Sequence, residues 1–318
     1  MSERTVLITG GSSGLGLETA AILASDPSWH VVITGRKQAP LLAEAARIGA
    51  EAMALDLGSL VAVSEFAEHF RAAAHPPLRA LICNAGLQNI HAPVLSSDGY
   101  EQTFAVNHLG HFLLVNLLLD AIEEPGRVVI VSSNTHDPKR STGIPAPRYT
   151  GARALAHSGA DWAGSDSLSV AGRRRYSTSK LCNVLFAYEL DRRVCGRAIT
   201  VNAFDPGMMP GTGLARDYPR AQRLAWRLLL PALTLGSRNV HTPRQSARAL
   251  ARLVSDPELE RESGKYWSEA KQSRSSEESY DAAKALELWN TSMELLHESG
   301  VATRGFQEQP SAPRGASD

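Results

Sequence analysis

The sequence predicts a doubly wound α/β fold, in which helices cover both faces of a mainly parallel sheet. Short apolar runs rich in β-branched residues alternate with helical patterns over the first two-thirds of the 318-residue chain. These runs are apolar along nearly their whole length, which is typical of parallel strands buried on both faces. A Gly-rich turn follows the first run and opens the first helical pattern. Together these observations favour right-handed crossovers around one sheet.

Each predicted element is a short pattern bounded by turn residues. The strands are predicted at residues 5–9, 31–34, 52–55, 78–83, 127–132 and 199–204. Helical patterns lie between them at residues 15–25, 60–74 and 104–122. A further helix around residues 281–297 is expected to cover the core or the pocket, and a surface for a partner is the alternative interpretation.

Two segments break this alternation. Residues 134–175 contain Pro138, Pro145, Pro147 and five glycines, and the segment is too long for an ordinary connection. We interpret it as an inserted substrate loop that holds short helices. Residues 304–318 have little to bury and are predicted to form a disordered tail.

Composition limits the functional classes. The chain is 43% hydrophobic, and its 33 basic residues balance its 33 acidic ones, so no bulk charge points to nucleic acid or an anionic membrane. Cys83, Cys182 and Cys195 have the spacing of neither a disulfide framework nor a zinc site, and no metal is expected. No apolar run reaches the roughly 18 residues of a membrane span. No signal peptide precedes the first strand, so a cytoplasmic protein is expected.

The turn after the first strand has the pattern Thr9-Gly10-x3-Gly14-x-Gly16. Glycines at this place permit a tight turn and the close approach of a pyrophosphate, whose charge is favoured by the N-terminus of the following helix. The spacing differs from G-x-G-x-x-G, but the physical task is the same. A Gly-Ser loop that serves only the turn is the alternative.

The end of the second strand predicts which nicotinamide dinucleotide is bound. A carboxylate near this place usually holds the ribose hydroxyls of NAD and would repel a 2′-phosphate. Here Gly35 is followed by Arg36 and Lys37, whose charges suit a phosphate. We therefore predict NADP(H), with ordinary solvated loop charges as the alternative. Asp56 and Leu57, after the third strand, could bracket the adenine, although a plain strand-to-helix turn explains them almost as well.

Tyr176 and Lys180 are the candidate catalytic pair. On one helix, a spacing of four residues puts them one turn apart on the same face. A tyrosine with a pKa of about 10 is a poor base at neutral pH. An ammonium about 4 Å away contributes roughly 4 kcal/mol at an effective dielectric constant of about 20, which could lower that pKa by up to about three units before desolvation takes some back. Such a tyrosine can donate a proton to a carbonyl or accept one from an alcohol. An exposed helix pair is what the motif alone would favour.

Further polar residues are expected near this pair. Ser133 ends an apolar strand and can hydrogen-bond a reacting carbonyl oxygen, although serine is also common at strand ends. Asn107 is polar on an otherwise apolar helix, and it can hold a water that relays protons to Lys180 or serve as a buried structural amide. His108 and His111 have no carboxylate or cysteine ligand beside them, so packing is favoured over a metal site.

These motifs, in this order, resemble the short-chain dehydrogenase/reductase superfamily over residues 4–214. The resemblance implies a single Rossmann-like NADP-binding catalytic domain over residues 1–303. It also implies a tetrad formed by Asn107, Ser133, Tyr176 and Lys180, in which Lys180 also binds the nicotinamide ribose. The cofactor contacts that it implies are Gly10, Ser12, Ser13, Leu15, Arg36, Asn84, Ala85, Gly86, Tyr176, Lys180, Pro206 and Gly207.

Within that superfamily, the chain looks most like the branch that holds retinol dehydrogenases and light-dependent protochlorophyllide reductases. The segments that carry this resemblance are residues 106–112, 176–183, 212–214, 264–267 and 286–289. Those reductases commonly have a cysteine directly after the Pro-Gly pair, where this chain has Met208, which cannot donate a proton. The family's cofactor threonine is expected five residues after the proline. Gly211 stands there, so Thr212 is the candidate in its place.

Two segments are expected around the substrate. The inserted loop carries seven basic and three acidic residues, and a position at the pocket mouth would favour a substrate with an anionic group. A solvated basic loop is the alternative. In residues 214–240, Ala221, Leu224, Ala225 and Leu228 share one helical face. We interpret that segment as a lid that closes an apolar pocket. A membrane-surface helix and simple packing on the core are the alternatives.

The sequence therefore predicts NADP(H)-dependent interconversion of a carbonyl and an alcohol on a small hydrophobic substrate. Reduction of a C=C bond is the enzymatic alternative, and a nucleotide-binding sensor without turnover is the non-catalytic one. Members of the superfamily often associate through helices that flank the sheet, so a homo-oligomer is left open.

Overall fold

Strands that are apolar on both faces form the centre of the fold. The computed structural model describes residues 2–158, 164–209 and 242–301. The predicted lid at residues 214–240, Thr212 and the predicted tail at residues 304–318 lie outside these ranges. The strands are β1 Arg4–Ile8, β2 Trp29–Gly35, β3 Glu51–Ala54, β4 Leu78–Cys83, β5 Ile122–Val131, β6 Ile199–Asp205, β7 Lys265–Ser268 and β8 Lys271–Ser273.

These strands form one sheet in the order β3-β2-β1-β4-β5-β6-β7-β8. All neighbouring strands pair in parallel except β7 and β8, which pair antiparallel at the edge. The predicted doubly wound parallel sheet is confirmed. Most of its predicted strands begin and end within two residues of the observed bounds, but β5 begins five residues earlier than expected.

Helices cover both faces of this sheet. They are α1 Gly14–Ala24, α2 Gln38–Ile48, α3 Leu60–Ala72, α4 Gln102–Ala121, α5 Ala152–Ala156, α6 Leu168–Arg193, α7 Pro243–Ser255 and α8 Ala282–Glu298. One apolar core lies between the sheet and α3, α4 and α6, and a second lies between the sheet and α1, α2 and α7.

The C-terminal helix α8 packs on the outside of α4 and α6. Its Trp289 meets the rings of Phe112 on α4 and Phe186 on α6 at centroid distances of 4.8 and 6.0 Å. His108 on α4 hydrogen-bonds Ser292 on α8 at 2.9 Å. The expectation that this helix covers the core is confirmed.

By length and composition, α4 could cross a membrane, although Asn107 and His108 interrupt its apolar sequence. Its middle turn, Ala105–Leu109, is π-helical, and its last turn is a 3-10 helix. In the structure, 89% of its most apolar window is buried. We therefore interpret it as a core helix of the fold.

The segment predicted as an inserted loop contains more regular structure than expected. Short helices are present at Asn134–His136 and Ala152–Ala156. The long helix α6 begins at Leu168, because the Ser167 hydroxyl caps it by accepting a hydrogen bond from the Val170 N–H. The loop boundary at residue 175 is therefore wrong, and Arg173, Arg174 and Arg175 belong to the first turns of α6.

Candidate active site

The polar turns after β1 and β4 meet at the point where the strand order reverses, which leaves a crevice at the carboxyl ends of the strands. The Thr9 hydroxyl accepts hydrogen bonds from the backbone N–H groups of Asn84 (2.9 Å) and Ala85 (3.0 Å). The Asn84 amide donates in return to the Thr9 carbonyl at 2.8 Å. The two turns are thus fixed to each other.

His111 supports this junction from α4. Its Nδ1 lies 3.2 Å from the Asn107 carbonyl and its Nε2 lies 2.8 Å from the Thr9 hydroxyl. A carbonyl can only accept, so Nδ1 carries the proton and Nε2 accepts from Thr9. Burial lowers the pKa of His111 to about 4, which keeps the ring neutral. His111 is therefore a structural hydrogen-bonding residue, as the preference for packing over a metal site predicts.

The Gly-rich turn fits the phosphates of a dinucleotide. Gly10 has a φ of +68°, and a Cβ on it would lie 2.9 Å from the Ala85 Cα, so only glycine fits there. Ser13 is the exposed N-cap of α1, and its side chain makes no capping hydrogen bond. The first N–H groups of a helix have no partner within it, and α1 has no acidic residue in its first turn. Three more predicted contacts begin α1: Gly14, Leu15 and Gly16.

Arg36 and Lys37 follow β2 directly, and both side chains are exposed. Neither has an ion pair or a side-chain hydrogen bond within the part of the chain that the structure describes. Ser12 lies beside the same strand end, with its Oγ 3.1 Å from where a Cβ on Gly35 would stand. Two cations and a hydroxyl therefore border the end of β2, as a 2′-phosphate would require.

The two residues predicted to bracket the adenine differ in their surroundings. Asp56 is exposed, and its carboxylate accepts a hydrogen bond from the Gly58 N–H at 2.9 Å. Leu57 is buried in the core beside α3 and α4. A side-chain contact with a base is open to Asp56 and not to Leu57 in this conformation.

The structure confirms that Tyr176 and Lys180 share α6. The Lys180 Nζ lies 5.7 Å from the centroid of the Tyr176 ring, and it donates to the Val131 carbonyl at the end of β5 at 3.1 Å. The Ser132 hydroxyl donates to the Lys180 carbonyl at 2.7 Å, which fixes α6 to that strand end. Burial lowers the pKa of Lys180 to about 8, although the Asp205 carboxylate opposes this shift.

Asn107 lies within the π-helical turn of α4 and joins the site from the other side. Its amide nitrogen donates to the Leu87 carbonyl and to the Ser179 hydroxyl, both at 2.9 Å, and its oxygen accepts from the Leu87 N–H at 2.8 Å. A Cβ on Gly86 would stand 3.4 Å from the Asn107 oxygen and 3.5 Å from the Lys180 Nζ. The side chain is therefore a structural amide beside the predicted lysine, and the water-relay role stays a prediction.

Ser133 follows β5 and is partly exposed. Its hydroxyl accepts only a long hydrogen bond of 3.3 Å from the Thr135 N–H, which leaves it able to donate to a substrate oxygen. Its carbonyl accepts a 2.6 Å hydrogen bond from the Nδ1 of His136. The Nε2 of the same ring accepts from the Ser276 N–H at 3.0 Å, so His136 is neutral, and burial lowers its pKa.

His136 and Asp205 are site residues that the sequence analysis missed. Asp205 ends β6, where its carboxylate accepts from the Gly207 N–H at 2.9 Å and so shapes the predicted Pro206-Gly207 contact. Burial raises the pKa of Asp205, although the hydrogen bonds that it accepts oppose this shift. Both residues line a polar cavity of about 80 Å³, which Asn134 and Gly207 also line. A polar residue at the end of an apolar strand was the available signal for Asp205.

Within residues 134–158 and 164–175, the basic side chains of the inserted segment do not form a free anionic subsite. The expected basic residues are mostly neutralised: Lys139 by Glu277, Arg140 by Asp137, Arg148 and Arg174 by Asp166, Arg153 by Glu294 and Glu298, and Arg175 by Glu101. Arg173 donates to the Ser169 carbonyl. The net charge of the segment counts only its own residues. It therefore leaves out Glu101, Glu277, Glu294 and Glu298, which pair with its basic side chains.

The chain is similar to known oxidoreductases over nearly its whole length. A sequence model of the family described as short chain dehydrogenase matches residues 4–152. Protochlorophyllide reductase A, chloroplastic, of Oryza sativa subsp. japonica is 36% identical over 319 residues, which cover 93% of this chain and 81% of that protein. The WW domain-containing oxidoreductase of Danio rerio is 33% identical over 308 residues, which cover 94% of this chain and 69% of that protein.

A solved structure gives the same result. The crystal structure of an uncharacterized protein from Mycobacterium paratuberculosis matches with a TM-score of 0.66 and 28% identity. The match covers 93% of this chain and 94% of that one. The similarity thus includes the strands and helices that follow residue 152, where Tyr176 and Lys180 lie.

Proposed function

This chain belongs to the short-chain dehydrogenase family and is an oxidoreductase of the kind that uses a nicotinamide dinucleotide, and we propose that it interconverts a carbonyl and an alcohol with NADP(H). One observation carries the proposal. The ammonium of Lys180 is buried 5.7 Å from the ring of Tyr176, on a helix that is fixed to the strand end carrying Ser133.

The chemistry divides between the bound dinucleotide and the chain's own residues. The dinucleotide supplies or takes up the hydride. In the direction of reduction, Tyr176 donates its phenolic proton to the carbonyl oxygen, and the Ser133 hydroxyl donates a hydrogen bond to the same oxygen. The Lys180 ammonium stabilises the tyrosinate that results. In the direction of oxidation, Tyr176 accepts the proton of the alcohol.

The choice of NADP(H) follows from the charges at the end of β2. Arg36 and Lys37 are exposed cations without described partners, and guanidinium and ammonium groups bind a phosphate dianion well. We expect Arg36→Asp to lower kcat/KM for NADPH by about 10- to 100-fold, since a hydrogen bond to a charged group contributes about 1.5–3 kcal/mol. The kcat/KM of the same variant for NADH should fall little. Arg47→Asp, on the exposed face of α2, is the matched control, and an unchanged preference in Arg36→Asp would contradict NADP selectivity.

The carbonyl reaction is tested by NADPH oxidation in the dark with aromatic, terpenoid and long-chain aldehydes and ketones. We expect turnover in the wild type and a loss of at least about 100-fold in Tyr176→Phe, the usual contribution of a general acid. Binding of NADPH to both proteins shows that the loss concerns chemistry. Undiminished turnover in Tyr176→Phe would reject the assignment of the acid. Tight NADPH binding without turnover on any substrate would favour a sensor.

The preference for a hydrophobic substrate rests on the sequence pattern that predicts an apolar helical face in residues 214–240, which lie outside the described residues. The substrate panel therefore also tests this prediction. Rates that rise with chain length or ring number would support it, and equal rates on small polar ketones would contradict it. The cytoplasmic location stays a prediction that cell fractionation can test.

Reduction of a C=C bond is the second candidate. The 36% identity with a protochlorophyllide reductase over 93% of this chain favours it. Met208 argues against it, because a thioether cannot donate the proton that the cysteine after Pro-Gly can supply. Consumption of NADPH and of the pigment only under illumination would support this candidate. Carbonyl turnover in the dark would favour the first.

A further inference from the structure

Three metal-ligating side chains converge at the edge of the sheet opposite the candidate active site. His30 is the second residue of β2, Glu51 is the first residue of β3, and His75 lies just before β4. The strands are parallel, so these residues lie at the amino ends, whereas Thr9, Arg36 and Asn84 lie at the carboxyl ends. This cluster is therefore separate from the oxidoreductase chemistry.

The geometry of the cluster suits a single ion. The Nε2 of His30 lies 2.8 Å from one oxygen of Glu51, and the Nε2 of His75 lies 3.2 Å from the other. The two imidazole centroids are 5.2 Å apart, and the three ligand atoms all lie within 4.8 Å of one another. Tetrahedral ligands about 2.1 Å from Zn²⁺ are about 3.4 Å apart, so shifts of about 1 Å or less in these side chains would bring all three onto one ion.

The surroundings leave these atoms available. The Nδ1 of His75 is buried, and its ring lies tilted by 44° against that of Phe70 at a centroid distance of 4.8 Å, so Nε2 is the nitrogen that a ligand can reach. No arginine or lysine pairs with Glu51 within residues 2–158, 164–209 and 242–301. The side chains of His30 and Glu51 are 27% and 37% exposed, which leaves room for a water as fourth ligand. A carboxylate can only accept, so each Nε2 carries a proton in this hydrogen-bonded arrangement. To bind a metal ion as a neutral ligand, each imidazole would release that proton from Nε2 and carry its proton on Nδ1 instead.

We propose that His30, Glu51 and His75 bind one Zn²⁺ ion, with water completing the coordination. Two imidazoles and one carboxylate are a common zinc ligand set, whereas Mg²⁺ and Ca²⁺ prefer sites made only of oxygen ligands. Such an ion links β2, β3 and the connection between α3 and β4. It stabilises the folded chain, because the unfolded chain does not hold the three residues together.

Titration with Zn²⁺ alone, followed by calorimetry or by competition with a chromophoric chelator, tests the site. We expect one equivalent to bind the wild type, and Tm to rise by about 5 °C when free Zn²⁺ is about 100-fold above its Kd. Mg²⁺ and Ca²⁺ should neither bind at this site nor raise Tm. His30→Ala, Glu51→Gln and His75→Ala should each lower the affinity at least about tenfold. His69→Ala, which removes an exposed histidine of α3, should bind as the wild type does.

Further readouts separate a metal site from a purely structural cluster. With Co²⁺ in place of Zn²⁺, the visible absorption of a four-coordinate ion should appear in the wild type and in His69→Ala, and be absent from Glu51→Gln. Circular dichroism confirms that each variant is folded, and Glu51→Gln keeps a hydrogen-bond acceptor for one histidine. If Zn²⁺ binds the three variants as it binds the wild type, or binds none of the proteins, the cluster is only a hydrogen-bonded triad and the proposal fails.

Discussion

Replacing Lys180 with methionine should stabilise the cofactor-free protein while it removes activity. The Lys180 ammonium is buried, and its hydrogen bond goes to the Val131 carbonyl at 3.1 Å. The Asn183 amide donates to the same carbonyl at 2.9 Å, so Lys180→Met leaves no buried acceptor without a donor. Methionine is unbranched and fills the same channel without a charge. The variant therefore removes the cost of burying the ammonium with little loss of packing.

The pKa of Lys180 sets the size and the pH dependence of this effect. It falls from 10.5 to about 8 on folding, so the unfolded chain holds the proton more tightly. Below a pH of about 8 the full cost is present, and it disappears as the pH rises through 10.5. The gain from Lys180→Met is then about 3 kcal/mol at a pH of about 7 and about 1 kcal/mol at a pH of about 10. These values already include the attraction to Asp205, which offsets part of the cost of burying the ammonium.

Urea unfolding of the cofactor-free proteins, followed by tryptophan fluorescence at both pH values, measures this difference. Lys271→Met, at an exposed position of β8, is the matched control and should change the free energy of unfolding by less than about 0.5 kcal/mol. A Lys180→Met variant that is less stable than the wild type at neutral pH would refute the reasoning. So would a gain that does not shrink between the two pH values.

Two further predictions concern the supports of the same site. Glu101→Gln should lower the free energy of unfolding by about 3–5 kcal/mol, because the buried guanidinium of Arg175, whose Nε is 3.4 Å from the Glu101 carboxylate, loses its counter-charge. Urea unfolding measures this, and Glu44→Gln in an exposed pair should cost less than about 1 kcal/mol; equal effects would contradict the argument. His136→Phe should lower kcat by about 10- to 100-fold, because the Ser133 carbonyl loses its 2.6 Å side-chain donor and keeps only the backbone N–H of residue 136 at 3.1 Å, which positions the serine less firmly. His136→Gln, which can still donate, should recover part of the rate, and wild-type kcat in His136→Phe would show that His136 does not position Ser133.

Much of the fold is predictable because its strands are buried on both faces. The runs at residues 5–9, 78–83 and 199–204 consist mostly of apolar, β-branched residues. Their own sequence is therefore enough to predict that they are buried strands. The same reasoning misses β7, whose four residues lie near the sheet edge and include only two large apolar side chains, Tyr266 and Trp267. The start of α7 could have been predicted from the sequence, because Thr242 and Gln245 form a capping box there.

The candidate site divides in the same way. Tyr176 and Lys180 could be predicted to share a face because their spacing is local. His136 could not be linked to Ser276, since those residues are 140 positions apart and meet only after β5 and the C-terminal segment pack together. The His30–Glu51–His75 cluster depends on β2 lying beside β3, and on the connection before β4 returning to the same edge. Such contacts become visible only once the strand order is known.

The observed contacts of Asn107 and of α8 bear on two sequence predictions, the role of Asn107 and the possibility of a homo-oligomer. Asn107 has a protein partner on each side-chain polar atom, so its amide links the turn after β4 to the Tyr176 helix, and the predicted relay water stays a prediction. The question of self-association is narrowed by α8, because Trp289 is buried against α4 and α6. A homo-oligomer that used the outer faces of those two helices would first have to displace α8, together with the His108–Ser292 hydrogen bond.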